Sequence, residues 1–412
     1  MRVWAFPSFY PYDYPGLTNT GIFAHRQYKG LVQNGAELTV IVPVPWSPLA
    51  PFSSLHPEWK KQQEMGYPYK RVYDGITVYH PRIANMKPSR FVKKSYAERF
   101  VDAVAKFFKD KKIKLDPKTD IFYSQWLPGS VLVQLAAHRL GVKSAILSIG
   151  DDVALWPNSS KGNLEQFKKL LEEADLRFDC ADYLGRQSNK LIGKDLPYTV
   201  VGWGVDYNFF KPVTATEKNT LRAKYSIPDD KAVILNVGTG GIRKGWLDLM
   251  DALVTVKKSN PNFVLIAVHA GVPEFDFPQE AEKRGLKDNY IDLPNQPPEA
   301  LNKIYNMADI FCLPSHSEGM ANVVLEAMSS GLATITTTVG GHPEVIDSGM
   351  NGILVPPQQP LALAEKLLYL VNNSSARAEL GAAAREYIVK KWGNNTDKAK
   401  VLYEKFNARL KG

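Results

Sequence analysis

The stretch Leu313 to Thr334, LPSHSEGMANVVLEAMSSGLAT, organises the reading of the chain. The apolar run Ile310 to Leu313 is short and ends at Pro314, as a buried strand does, and from Ala321 the apolar residues recur at helical spacing. The order is therefore strand, loop, helix. Glu318 lies in the loop and Glu326 within the helix. Gly319, Met320, Ala321 and Asn322 stand at the helix start, where backbone N–H groups lack intrahelical partners and the helix dipole favours phosphate. Glu326, four residues beyond Asn322, sits roughly 6 Å further along the same face. That reach suits a sugar hydroxyl attached to a diphosphate held at the helix end. The ordinary alternative for a glutamate here is dipole compensation or capping.

The string EGMANVVLEAMSSG (318–331), followed by VGGHPEVIDSGMNGILVPP (339–357), closely resembles the C-terminal signature of the retaining, nucleotide-sugar-dependent glycosyltransferases of family 4. The resemblance implies an α/β chain with the GT-B fold: two Rossmann-like domains facing a cleft, the donor in the C-terminal domain, the acceptor in the N-terminal one, and a last helix packing back on the N-terminal domain. The divisions it implies are 1–202, 203–392 and 393–412, the first boundary falling in YTVVGWGVDYNFFKP (198–212). The family's Asn-Gly-Val-Asp is usual there; Trp203 replaces the Asn, and Gly204, Val205 and Asp206 match.

Length and composition agree with two domains. The chain has 412 residues, too many for one ordinary core, with 44% hydrophobic and 23% charged residues. Two cysteines, Cys180 and Cys312, in apolar segments fit buried thiols in a reducing compartment better than a disulfide framework. The N-terminus MRVWAFPSFYPY has no signal-like apolar run and no 18-residue apolar stretch occurs, so the expected location is cytoplasmic. Net charge is +9, and residues 1–200 carry all of it, with 28 Lys/Arg against 19 Asp/Glu. That half is expected to meet something anionic, such as the inner face of a membrane as a peripheral partner. Nucleic acid is not expected, because no reading module is recognisable.

Residues 2–7 and 37–44 read as strands around a helix, Ile22 to Gln33, giving a βαβ opening. Gly21 lies in its first strand-to-helix turn. It matches a family glycine near the donor phosphate, and also suits a tight turn. In the long insertion 45–75, Trp46, Phe52, Trp59, Tyr67 and Tyr69 could stack on acceptor sugars or pack together. Ser89 to Lys112 reads as an amphipathic basic helix, either interfacial at a membrane or covering the sheet. A strand, Lys143 to Ile149, ends in Gly150-Asp151-Asp152. Family members often read His-Gly-x-Asp there; Ile149 replaces the histidine and Gly150 and Asp152 match, so either the role has moved, for instance to Asp151 or Asp152, or this branch works without it, unless the acidic pair merely caps the turn.

The second domain opens with Ala232 to Val237 and the loop Gly238-Thr-Gly-Gly-Ile-Arg-Lys-Gly245. Arg243 and Lys244 fall at a helix N-terminus, where cations are disfavoured unless an anion lies between. Lys244 matches the family's diphosphate lysine; Thr239 stands in place of its arginine, for which Arg243 can substitute. His316 near Glu318 is a further candidate, or polar surface.

The expected activity is transfer of a hexose-type sugar from a nucleoside diphosphate sugar, taken as UDP-linked, to a saccharide or lipid-linked saccharide acceptor in surface polysaccharide or glycolipid synthesis. Glu318, Lys244 and Asp152 are the expected catalytic residues. The expected donor site is Gly21, Thr239, Arg243, Lys244, Glu318, Gly319, Met320, Ala321, Asn322 and Glu326. No cofactor or metal is expected, protein cations doing its work. In the family, retention is usually explained by front-face attack with the leaving phosphate accepting the proton. The alternatives are a GT-B sugar-nucleotide epimerase and a catalytically weak binding partner in a polysaccharide assembly complex.

Overall fold

The computed structural model describes residues 1–11, 21–46, 60, 65–84, 94–271, 273–294 and 296–412. The chain forms two compact units, Met1–Gly202 with Thr396–Gly412, and Trp203–Asn395.

Among the described residues the first unit contains β1 (Arg2–Pro7), β2 (Glu37–Ile41), β3 (Val44–Trp46), β4 (Lys70–Tyr73), β5 (Ile76–Tyr79), β6 (Arg82–Ala84), β7 (Asp120–Gln125), β8 (Lys143–Ser148), β9 (Leu176–Asp179) and β10 (Thr199–Val200). Eight of these form one sheet in the order β10-β9-β8-β7-β1-β2-β5-β4, parallel except for the edge pair β4–β5. β3 and β6 pair separately. The near-continuous burial of β1, β7 and β8 is what a parallel sheet covered on both faces requires. The β4–β5 hairpin, inside the stretch read as an irregular insertion, turns on Asp74-Gly75, both at positive φ, a dipeptide suited to a two-residue turn.

The basic helix spans Tyr96–Asp110 and opens with a capping box, Ser95 with Glu98. Its apolar residues Phe100, Val101, Val104, Phe107 and Phe108 are buried in one core with Trp4, Phe6 and Phe122. Of the two readings of this helix, the structure shows the one in which it covers the sheet. Turning that face to lipid would pull five side chains out of a close-packed core and leave it unfilled. Phe91 and Val92, read as part of the same helix, lie outside the described residues, as do Phe52 and Trp59. The C-terminal helix Asn395–Lys411 enters this unit from Thr396 onward. Phe406 meets Tyr123 and Phe178 at ring separations of 5.4 and 5.7 Å, and Arg409 pairs with Asp175 at 2.7 Å.

The second unit contains β11 (Ala232–Thr239), β12 (Phe263–Ala270), β13 (Tyr290–Asp292), β14 (Ile310–Leu313), β15 (Ala333–Thr337) and β16 (Ile353–Val355). They form an all-parallel sheet in the order β13-β12-β11-β14-β15-β16. This is the doubly wound arrangement, in which the order reverses between the first and fourth strands and ligands bind beyond the carboxyl ends at that reversal. Here the reversal lies between β11 and β14. Helices Trp246–Ser259 and Pro360–Asn372 share one core with the sheet, through Trp246, Leu249, Leu253, Leu363, Leu367 and Leu370. Cys180 and Cys312 are both free and buried.

Candidate active site

Two loops leave the carboxyl ends of β11 and β14 side by side at the reversal, and backbone geometry locks them together. Gly245 closes the first loop at φ 71°, and a Cβ there would lie 1.9 Å from the Pro314 carbonyl oxygen. Only glycine permits that approach. His316 N donates to the Arg243 carbonyl at 2.8 Å, and the His316 ring nitrogen Nε2 lies 2.7 Å from Asp248 Oδ2. His316 therefore pins the loops. Trp246, fully buried, donates its indole N–H to the Thr239 carbonyl at 2.8 Å, fixing the other end of the first loop.

A third loop, after β15, joins them. Thr337 Oγ1 donates to the Ser315 carbonyl at 2.6 Å and Gly341 N to the Gly319 carbonyl at 2.7 Å. At Gly340, φ 56°, a Cβ would sit 2.1 Å from the Glu318 carbonyl oxygen.

Within this frame Lys244 Nζ and Glu318 Oε1 are 2.6 Å apart, and Ser315 Oγ donates to the same carboxylate oxygen at 2.7 Å. Both side chains are largely covered, Lys244 17% and Glu318 9% exposed. Burial pushes the Glu318 carboxyl up, but the charges of Lys244 and His342 and the bonds from Lys244 and Ser315 outweigh it and hold it below the usual glutamate range. The carboxylate is engaged by this pair and not by the helix end. Indeed the helix Asn322–Ser329 has no side-chain cap at Ala321 and no acidic residue in its first turn, so its leading N–H groups are not taken up by a capping side chain. Glu326 is buried at 6% exposure, and Tyr305 donates its hydroxyl to Oε2 at 3.1 Å.

The structure therefore brings together Lys244, Glu318, the helix start Gly319 to Asn322, and the loop bearing Thr239 and Arg243. It also supplies residues sequence reasoning missed. Ser315 and Tyr305 orient the two glutamates. His342, in the quoted VGGHPEVI, is fully buried beside the ion pair, and only its charge coupling to Glu318 and Lys244 in the folded chain reveals it.

In the first unit Gly21 begins helix Ile22–Gln33 at φ 73°. Asp152 is wholly buried, and its oxygens accept from the backbone N–H groups of Leu127 (3.1 Å), Ile149 (3.1 Å) and Gly150 (2.7 Å). Burial raises its pKa to about 6 against the lowering effect of these bonds. The side chain thus ties the turns after β7 and β8, as the capping alternative for it requires. The Leu127 turn also holds Trp126 at φ 72°, ψ 99°, rare for a bulky residue, with its ring 6.4 Å from that of Phe9, which is 50% exposed. Of the insertion's aromatics, Trp46 is exposed, Tyr67 lies 5.0 Å from the His80 ring, and Lys111 stands 5.0 Å over Tyr69.

Residues 217–387 match the family model for glycosyl transferases group 1. The second unit is a group 1 glycosyltransferase domain. The putative teichuronic acid biosynthesis glycosyltransferase TuaC of Bacillus subtilis is 26% identical over 369 residues, 89% of this chain and 88% of that protein. A D-inositol 3-phosphate glycosyltransferase of Xylanimonas cellulosilytica is 32% identical over 207 residues, covering 48% of each chain. Among solved structures, Anabaena HepE in complex with UDP superposes with a TM-score of 0.74 at 17% identity, over 99% of this chain and 100% of that one. WaaG, a glycosyltransferase involved in lipopolysaccharide biosynthesis, gives 0.67 at 17% identity over 97% and 98%. The fold is GT-B with two Rossmann-like domains, as the resemblance implied. In the group 1 domain the Lys244–Glu318 pair stands where the two central strands part. No helix among the described residues is long and apolar enough to cross a membrane.

Proposed function

We propose that this group 1 glycosyltransferase is a retaining hexosyltransferase. It takes a nucleoside diphosphate sugar, UDP-linked by preference, and glycosylates a saccharide or lipid-linked saccharide in surface polysaccharide or glycolipid synthesis. The observation that carries the reading is the Lys244–Glu318 pair at the strand-order reversal, next to an uncapped helix start. Lys244, Arg243 and the N–H groups around Gly319 to Asn322 meet the diphosphate and stabilise the negative charge that grows on it as the sugar departs. Thr239 lies on the same loop. Glu326, oriented by Tyr305, holds the ribose, and Glu318 orients the donor hexose. No metal is needed in this scheme, because fixed cations and N–H dipoles face the leaving group. In the first unit Phe9 and Trp126 offer apolar ring faces suited to an acceptor sugar. The basic excess of residues 1–200 supports peripheral attachment to an anionic membrane through charge alone.

The relatives, a putative teichuronic acid biosynthesis glycosyltransferase and UDP-bound HepE among them, support the donor and product classes. Thermal melting against UDP, GDP, ADP and dTDP tests the reading. One nucleotide should stabilise the wild type by about 2.7 kcal/mol at 100-fold its dissociation constant and leave Lys244→Ala unmoved. Stabilisation by none of the four nucleotides or their sugar conjugates would overturn it.

A further inference from the structure

His342 is fully buried, and its hydrogen bonds determine where its ring proton lies. Thr336 Oγ1 has one hydrogen and gives it to the Leu313 carbonyl at 2.7 Å, so towards His342 Nδ1, 2.8 Å away, it can only accept. The Thr337 carbonyl, 3.2 Å from the same nitrogen, also accepts. The proton is therefore on Nδ1. Nε2 carries the lone pair, and among the described residues this buried atom has no hydrogen-bond partner.

The charged groups acting on the ring are Glu318 and Lys244, with opposite sign. His342 follows the third loop, which is bonded on either side of Glu318, to the Gly319 carbonyl by Gly341 N and to the Ser315 carbonyl by Thr337 Oγ1. With Lys244 beside Glu318 the site is charge-balanced, and burial keeps the imidazole neutral. A diphosphate changes that balance, because an ammonium drawn to phosphate oxygens can no longer neutralise a carboxylate 2.6 Å from its present position. An uncompensated buried carboxylate costs several kcal/mol. The group placed to answer it is His342, by protonation at the unoccupied nitrogen.

We propose that His342 is a positioning residue that takes over the charge balance of Glu318 when the donor diphosphate recruits Lys244, by accepting one proton from solvent at Nε2. The Nδ1–H bonds to Thr336 and Thr337 remain intact, so the imidazolium forms without ring movement, and Glu318 stays ionised to orient the hexose. Donor binding is then coupled to proton uptake. This rests on the donor reading above.

Calorimetry of the full chain with UDP, GDP, ADP and dTDP, at one pH near 7 in two buffers of different ionisation enthalpy, counts the protons exchanged. For the nucleotide that binds, the wild type should take up more protons than His342→Asn, by up to one, the variant keeping a donor to Thr336 but no titrating nitrogen. Affinity should rise as pH falls, by up to about tenfold per unit more steeply in the wild type than in the variant. Glu318→Gln, which keeps His342 but removes the charge it answers, should lose the extra uptake as well, and His342→Gln serves as the second titration-free variant if His342→Asn fails to fold, because extra uptake that survives the histidine substitutions would belong to Glu318 itself and would overturn the role of His342. Equal proton counts in wild type and Glu318→Gln would overturn the role of His342 while leaving the donor reading standing. Absence of binding by all four nucleotides would remove both.

Discussion

Lys244 and Glu318 are chemically a pair before they are anything else, and their energetics predict how each variant fails. Lys244→Ala should lower turnover by ~10²-fold or more through loss of leaving-group stabilisation. It should also cost about 3 kcal/mol of stability, because a buried carboxylate is left without its cation. The two effects separate by pH. In the wild type the Glu318 carboxyl titrates below its unfolded value, so its contribution is present above that value, near 4.3, and is lost as pH falls through the folded one. Without Lys244 the charge balance of Glu318 falls to His342, whose protonation adds stability as pH falls, so the variant should lose less stability than the wild type on acidification, measured by urea denaturation between pH 4 and 7. Glu326→Ala should cost ~10²-fold in turnover with a smaller stability loss, since what the Tyr305 hydroxyl then loses is an acceptor and no buried charge is left unpaired. Near-full turnover in both variants would sink the donor-site assignment.

At the level of loops and strands, the site is held by close backbone approaches that the side chains do not advertise. Gly340→Ala would drive a Cβ into the Glu318 carbonyl and force a left-handed residue, so a loss of about 2 kcal/mol or more is expected in denaturant melts, together with weaker nucleotide binding. At Gly75 a Cβ would meet nothing within 4 Å, so alanine there bears only the φ 81° strain and should be milder, leaving nucleotide binding unchanged. Asp152 belongs to this scale too. Its folded value, about 6, lies above the unfolded one, so the stability it contributes is full below about 4 and declines as pH rises through 6. Asp152→Asn should remove that slope, on the order of 1–3 kcal/mol across the window, in stability measured from pH 4 to 7. An unchanged slope would mean the carboxyl does not titrate there.

For the molecule as a whole, charge and chain order matter most. All of the +9 excess lies in residues 1–200, while the basic helix keeps its apolar face in the core, so the membrane attachment we propose would rest on screened electrostatics. Flotation with anionic liposomes should succeed at low salt and fail near 1 M, where the Debye length is about 3 Å; absence of binding at low salt would remove the idea. The two-unit plan and the strand–loop–helix of 310–329, with Glu318 in its loop and Glu326 in its helix, were legible in the chain, because hydrophobic period, glycine placement and residue type are properties of near neighbours. The Asp74-Gly75 hairpin was legible too, through a turn signal overlooked among prolines and aromatics. What only the tertiary structure decided were relations between residues far apart in sequence: that Lys244 meets Glu318, that Asp152 caps two turns, that the basic helix faces the core, and that His342 lies buried beside the ion pair with one nitrogen unpartnered among the described residues. Each depends on which strands become neighbours in a sheet and on what their burial removes from water, and neither quantity exists until the chain has folded.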